Sequence, residues 1–277
     1  MTQLARISAG TAQPTTDRRL HLRRWIKQAL APLLVLALMI AAWQTYVSVT
    51  HAPEYLVPGP GAVVQRFLEE PGYFYREGLV TTIEALLGLA LGGSLAFATG
   101  VVLAYSRPLE RSVLPWAIAL KMTPIVAVAP MFTIWFGFGT LPKVLIAALI
   151  TFFPVLINTI AGLRAVNAGA LDVFRSLDAS PLDVLLKLRI PSAMPYLFAA
   201  LKVAVTLSLI GAVVAEWSGS GRGLGRVILL AHANLDLPTL FAGVFVLASL
   251  GVVLTGIISI IERRLLFWHE SFQEPQR

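Results

Sequence analysis

The chain has 277 residues, 57% of them apolar and only 13% charged, with no cysteine and a formal net charge of +7. A soluble domain carries nearly twice that charged fraction, so a lipid bilayer is the solvent for most of this chain. Disulfides and cysteine-ligated metal are excluded, and the positive charge is assigned to cytoplasmic loops of a membrane protein, not to nucleic-acid binding.

Residues 1–20 are polar and lack a period, which predicts a disordered tail. Arg18, Arg19, Arg23, Arg24 and Lys27 then form a basic approach to the membrane, so 1–28 reads as a cytoplasmic tail. The first span is expected over about 29–49. It is too long for a signal-peptide core and lacks a small-residue cleavage site. Pro58-Gly-Pro-Gly61 breaks the chain, and Pro60 can start a short surface helix over Ala62–Glu70. A second span, about 79–105, carries Gly88-xxx-Gly92, which permits close approach of a neighbouring helix. The third, about 112–136, contains Pro115, Pro124 and Pro130 and should be kinked or discontinuous. A fourth follows over about 140–162 and a fifth over about 196–216. The Gly-rich stretch Ser218–Gly225 reads as a flexible outer loop, because it matches neither phosphate-loop nor dinucleotide-binding spacing. The last span covers about 238–261. The expected fold is therefore an all-α polytopic membrane protein, with six transmembrane helices in a 29–264 domain and a tail at 265–277.

Six spans place both termini on one side. The loops on that side hold fifteen arginines and lysines, against four on the other (Arg66, Arg76, Arg222, Arg226). The excess predicts cytoplasmic termini in an inner membrane. Glu84, Lys121 and Lys202 lie inside apolar spans, where a charge costs roughly 2.5–3.5 kcal/mol unless paired or wet. From a rise of ~1.5 Å per residue, Lys121 falls near the midplane, Lys202 in the inner half and Glu84 in the outer half. Each reads either as a snorkelling or paired group or as the lining of a wet path. Lys121 precedes the Pro124 break, which would open backbone groups to a cavity. Glu216 closes the fifth span as an interfacial anchor or a gate.

Between the fourth and fifth spans lies Asn167–Pro195, amphipathic and too polar to cross a bilayer. Leu171, Phe174 and Leu177 share one helical face, and Val184, Leu185 and Leu188 another. Ser180-Pro-Leu-Asp183 is a helix start, with a capping serine, proline at the first position and an acid three residues on. Two short helices meeting at Leu177–Ser180 are predicted on the membrane surface. No catalytic constellation accompanies them: the four histidines are scattered without ligand spacing, no metal site is indicated, and no Ser-His-Asp arrangement is suggested. A transport subunit, not an enzyme, is the expectation.

This segment resembles the cytoplasmic loop of importer-type ATP-binding-cassette (ABC) permeases, whose pattern is Glu-Ala-Ala followed by a glycine and a closing Ile-x-Leu-Pro. Aligned on Ile190-Pro191, the Glu falls on Asp172, the alanines on Val173 and Phe174, the glycine on Asp178 and the isoleucine on Leu188. Arg175-Ser-Leu177 and Ala179-Ser180 fit its flanks. Val57-Pro-Gly-Pro-Gly-Ala-Val-Val64, Ala129–Gly139, Phe152–Asn158 and Ile210–Glu216 with Gly223-Leu-Gly225 are similar to the nitrate/sulfonate/taurine/pyrimidine-precursor-type subfamily, in order and spacing. Two departures, Asp172 and Asp178, lie in the motif itself.

The resemblance implies a type I ABC importer permease fold with a two-part coupling helix. It further implies a homodimer in the bilayer, two cytoplasmic ATPase subunits that bind ATP and Mg, and an extracytoplasmic solute-binding protein; no cofactor is expected on this chain. Leu171, Asp172, Phe174, Leu177, Asp178, Ala179, Ser180, Val184 and Pro191 would form the ATPase-coupling surface. Lys121, Asn158 and Glu216 would line the translocation pathway. Ile125–Gly139 and Ile210–Glu216 look more like the branch serving pyrimidine, thiamine-precursor or riboflavin uptake than the sulfonate, taurine or nitrate branch. A self-contained carrier or channel is the rival class. It leaves the capped two-helix segment unexplained and predicts internal repeats that are not seen.

Overall fold

A computed structural model describes residues 16–267, with side chains from residue 30 onward. The expectations for residues 1–15 and 268–277 lie outside the described residues; residues 16–20, expected to be disordered, are helical instead. Those described are helical, in two units, 1–62 and 63–277. The first unit carries α1 (Thr16–Thr50), whose Leu30–Thr50 portion is long and apolar enough to cross a bilayer. Most side chains of Leu30–Thr50, Leu33, Leu36 and Met39 among them, are exposed.

The second unit takes up most of α2 (Pro60–Glu69) and continues with α3 (Pro71–Tyr105). Next come α4 (Arg107–Met122), α5 (Ile125–Phe136) and α6 (Thr140–Arg164). Two short helices follow, α7 (Ala168–Ser176) and α8 (Pro181–Val184). The chain then runs through α9 (Ile190–Trp217), α10 (Leu224–Ala233) and α11 (Leu237–Leu265). Five helices among the described residues are long and apolar enough to span a membrane, and six if the bent α4–α5 pair counts as one.

That pair turns through 95° at Thr123-Pro124. Thr123 is extended (φ −69°, ψ 128°), the conformation that a following proline ring enforces by excluding the helical one. Met122 is exposed beside the bend, and Ile134 and Trp135 are exposed at the far end of α5.

The core is the packing of α3 on α6 and α6 on α9. Ala96, Leu103, Val155, Leu156, Ile160, Ala200 and Ala204 meet there, with Ala117 of α4. Small residues set the spacing. Between helices in lipid there is no hydrophobic gain, so close backbone approach and dispersion carry association. At Gly92 an added Cβ would overlap the Ala148 carbonyl of α6, and at Gly88 the Cβ of Ala147. The Gly88-xxx-Gly92 stripe is thus where α6 lies against α3.

Two boundaries differ from expectation. The span following α2 starts at Pro71, a proline at a first helical position where its missing N–H costs nothing. The predicted surface segment also does not end before a separate fifth span. α8 passes through a π-helical turn, Leu185–Arg189, directly into α9. Pro191 and Pro195 look like breakers in the sequence. The widened turn before them and the first-turn position of Pro191 let the helix continue.

Candidate functional site

The surface between α6 and α9 is built from two capped turns. Asn167 caps α7, its side-chain oxygen accepting from Gly169 N–H at 2.8 Å. Ser180 caps α8: its Oγ accepts from Asp183 N–H at 3.1 Å and donates to the Asp183 carboxylate at 2.6 Å. Between them α7 ends in a Schellman motif. Asp178 is left-handed (φ 49°), its N–H reaches Arg175 O at 3.1 Å, and Ala179 N–H reaches Phe174 O at 3.0 Å. Asp178 therefore occupies the position for which glycine is best suited. Asp178→Ala should lower stability by about 1 kcal/mol, the cost of a left-handed residue whose side chain cannot bond locally. Asp178→Gly should leave stability equal or slightly raised. Thermal unfolding of the two variants in detergent checks this; equal unfolding temperatures for Ala and Gly would contradict it.

None of the α7–α8 side chains is buried. Leu171, Phe174 and Val184 are half-buried; Leu177 is 73% exposed, and Val173, Leu182 and Leu186 are also exposed. The outward apolar face is accordingly Val173, Leu177, Leu182 and Leu186. Of these, only Leu177 stands out in the sequence. Val173 and Leu177 are one helical turn apart, a spacing the motif alignment obscures by putting Val173 on an alanine position.

The segment is fastened to the spans by two arginines. Arg164, at the end of α6, pairs with Glu110 at 2.7 Å and donates to the Leu103 and Ala104 carbonyls that end α3. Leu103 O also accepts from Ser106 N–H at 3.3 Å, and the arginine completes the terminal carbonyls of α3. Arg189 stacks over the Tyr105 ring at 4.6 Å and reaches Leu163 O at 3.5 Å. Leu185 and Ile190 pack against Ala104, Leu163 and Ala193 beneath. The turn after α8 is thus packed on the ends of α3, α6 and α9.

A second polar assembly lies at the opposite ends of these helices. Glu84 of α3 pairs with Lys143 of α6 at 2.5 Å, both buried. Glu216 of α9 is 1% exposed. Its carboxylate accepts from Thr81 Oγ1 at 2.7 Å and from Gly225 N–H at 2.5 Å. Thr81 Oγ1 in turn accepts from Leu224 N–H at 2.8 Å, and Glu77 accepts from Gly223 N–H at 2.6 Å. Three successive backbone N–H groups of the Gly-rich stretch thus point at α3 and α9. The stretch is a fastened strap, not the flexible loop expected. Glycine is required at 223, where φ is 110° and an added Cβ would overlap the Glu216 carboxylate.

Lys121, Asn158 and Glu216 are not brought together. Lys121 is exposed on α4, its Nζ 4.7 Å above the Phe153 ring. Asn158 donates to the Pro154 carbonyl of its own helix at 2.8 Å. Glu216 is enclosed by Thr81 and the strap. Lys202 pairs with Glu262 of α11. Two of the three intramembrane charges therefore have buried partners, Lys143 and Glu262, that linear reading did not pair with them.

Residues 88–267 match the family model described as binding-protein-dependent transport system inner membrane component. The chain belongs to that family. It is a permease component of an ABC importer and a multi-pass inner-membrane protein. Its relatives include the formylaminopyrimidine transport permease ThiX of Halalkalibacterium halodurans, 32% identical over 88% of this chain and 98% of that one. The riboflavin transport system permease RibX of Chloroflexus aurantiacus is 34% identical over 90% of this chain and 94% of its own. In fold it resembles a chain of the MetNI methionine ABC transporter in inward-facing conformations. The TM-score is 0.64 and the identity 16%, over 71% of this chain and 98% of that one. The fold is that of type I importer permeases. Both the strap and the α7–α8 surface fall within the family region.

Proposed function

We propose that two copies of this chain pair in the inner membrane, with two ATPase subunits on the cytoplasmic side and a solute-binding protein on the other. The observation that carries this is the α7–α8 surface: four exposed apolar side chains on capped turns, fixed by Arg164 and Arg189 to the ends of three spans. Apolar groups held in that way suit a groove on a partner, the helix-in-groove mode of recognition. The basic residues of this side, fifteen against four, give it and both termini a cytoplasmic address. ATP and Mg bind the partner. Closure of the ATPases moves α7–α8, and the rigid connection switches the spans between inward- and outward-open arrangements.

The solute is a small heteroaromatic compound, a pyrimidine or thiamine precursor or riboflavin. Relatives named for formylaminopyrimidine and for riboflavin transport cover nearly the whole chain, as does one named for aliphatic sulfonates. The likeness of Ile125–Gly139 and Ile210–Glu216 to the first branch is what supports the choice. The test is solute-stimulated ATPase activity of the reconstituted complex with its binding protein, titrated with these compounds. Stimulation by a heterocycle is expected; stimulation by taurine or an alkanesulfonate alone would overturn the assignment.

Lys121 lines the path at the α4–α5 bend. Lys121→Met should slow uptake several-fold at limiting solute while the complex still assembles. Unchanged uptake kinetics would remove Lys121 from the path.

A further inference from the structure

The buried assembly beneath the strap has an unbalanced charge. Glu84 and Glu216 supply two carboxylates, and Lys143 a single cation, all buried. Around them, Glu77 of α3 faces Arg222 of the strap, at 3.5 Å. Glu77 and Arg222 therefore pair off, while Arg226 of α10 is exposed, so water screens its charge and the buried trio stays uncompensated. With both carboxyls ionised, that trio holds one uncompensated negative charge among α3, α6 and α9, where a lone charge is expensive.

The hydrogen bonds locate the deficit. Both Glu216 oxygens accept, one from Thr81 and one from Gly225. Glu84 Oε1 accepts from Lys143. Glu84 Oε2 is fully buried, and among the described residues no N–H or O–H donates to it. Glu84 stands one helical turn from Thr81 on α3, and Thr81 binds Glu216, so the two buried carboxyls lie side by side. Two carboxylates cannot hydrogen-bond to each other without a hydrogen between them.

We propose that the Glu84–Glu216 pair is a proton-binding site: one proton on Glu84 Oε2, donated to Glu216, neutralises the trio and holds the strap Ser218–Gly225 closed on α3 and α9. The proton comes from water on the strap's side and returns there. When it leaves, Glu84 and Glu216 repel each other. Glu216 is the residue that holds Gly225 and, through Thr81, Leu224, so its displacement frees the strap. The strap is thus closed at neutral and acid pH and released as pH rises through the pair's titration. The inference requires only that the chain lie in a membrane, and it stands whether or not the proposed solute and partners are right.

The test uses the full chain in lipid nanodiscs, with infrared spectroscopy and thermal unfolding against pH. Wild type should show the C=O stretch of a protonated carboxyl at neutral pH, lost on alkalinisation together with a fall in unfolding temperature. Glu84→Gln and Glu216→Gln each make the trio neutral without a proton. Each should fold, lack the band and unfold at a pH-independent temperature. The double variant leaves Lys143 unbalanced and should unfold at a lower temperature than either single one. Absence of the band from wild type, its persistence in both single variants, or failure of both to fold would overturn the proposal. So would stabilisation of wild type by sodium but not by choline at equal ionic strength, which would make a metal cation the occupant.

Discussion

Leu177→Asp should abolish co-purification of the ATPase subunits and ATP-driven uptake, while the chain still inserts and unfolds at its normal temperature. Leu177 is 73% exposed, so the substitution removes nothing from the fold. In the complex it removes a leucine from a groove and places a carboxylate there. Lost burial alone costs about 1.5–3 kcal/mol, or roughly a 10–100-fold weakening at 1.4 kcal/mol per decade. The desolvated charge adds more. Phe174→Asp should act in the same direction but is a less clean probe, because Phe174 is half-buried against its own chain. ATPase retained at wild-type stoichiometry on Leu177→Asp would remove this face from the interface.

Lys143→Met should be the most damaging single substitution in the transmembrane region. It leaves Glu84 and Glu216 buried together without their cation. Breaking a buried pair from one side costs about 3–5 kcal/mol, a large share of a stability of about 5–15 kcal/mol for a whole protein. Lys143→Met with Glu84→Leu should recover much of the loss, since it leaves Glu216 as the one carboxyl of the trio, which a single proton neutralises. The single variant should also be rescued at acid pH, where both carboxyls become neutral. Thermal unfolding of the three proteins at two pH values measures all of this. A single variant as stable as wild type, or a double variant worse than the single one, would mean that the pair is not the lock described.

What could be read from the chain was local. The Thr123-Pro124 break, the Ser180 cap and the Gly88-xxx-Gly92 approach each depend on neighbours within one helical turn or on backbone geometry that a residue type dictates. Asp178 belongs with them: a left-handed helix terminus is legible because glycine was its expected occupant. The polar pairings were not legible. Lys143 lies 59 residues from Glu84, and Thr81 lies 135 from Glu216, and no periodicity links such positions. The strap was misread for the same reason. Its glycines suit a flexible loop equally well, and only the carboxylate facing them shows that they clear space for Glu216. The run from α8 into α9 was hidden by Pro191 and Pro195, because a π turn is set by tertiary packing rather than by composition.

The central claim is that energy enters this permease through α7–α8. The chain has no cysteine, so a single introduced thiol reports one position. Leu177→Cys, labelled with a short photo-crosslinker in the complete, transport-active complex, should capture the ATPase subunit. Val244→Cys, exposed on α11, should not. ATPase capture from position 177 alone is the result predicted; no capture there, or equal capture from 244, would contradict the account.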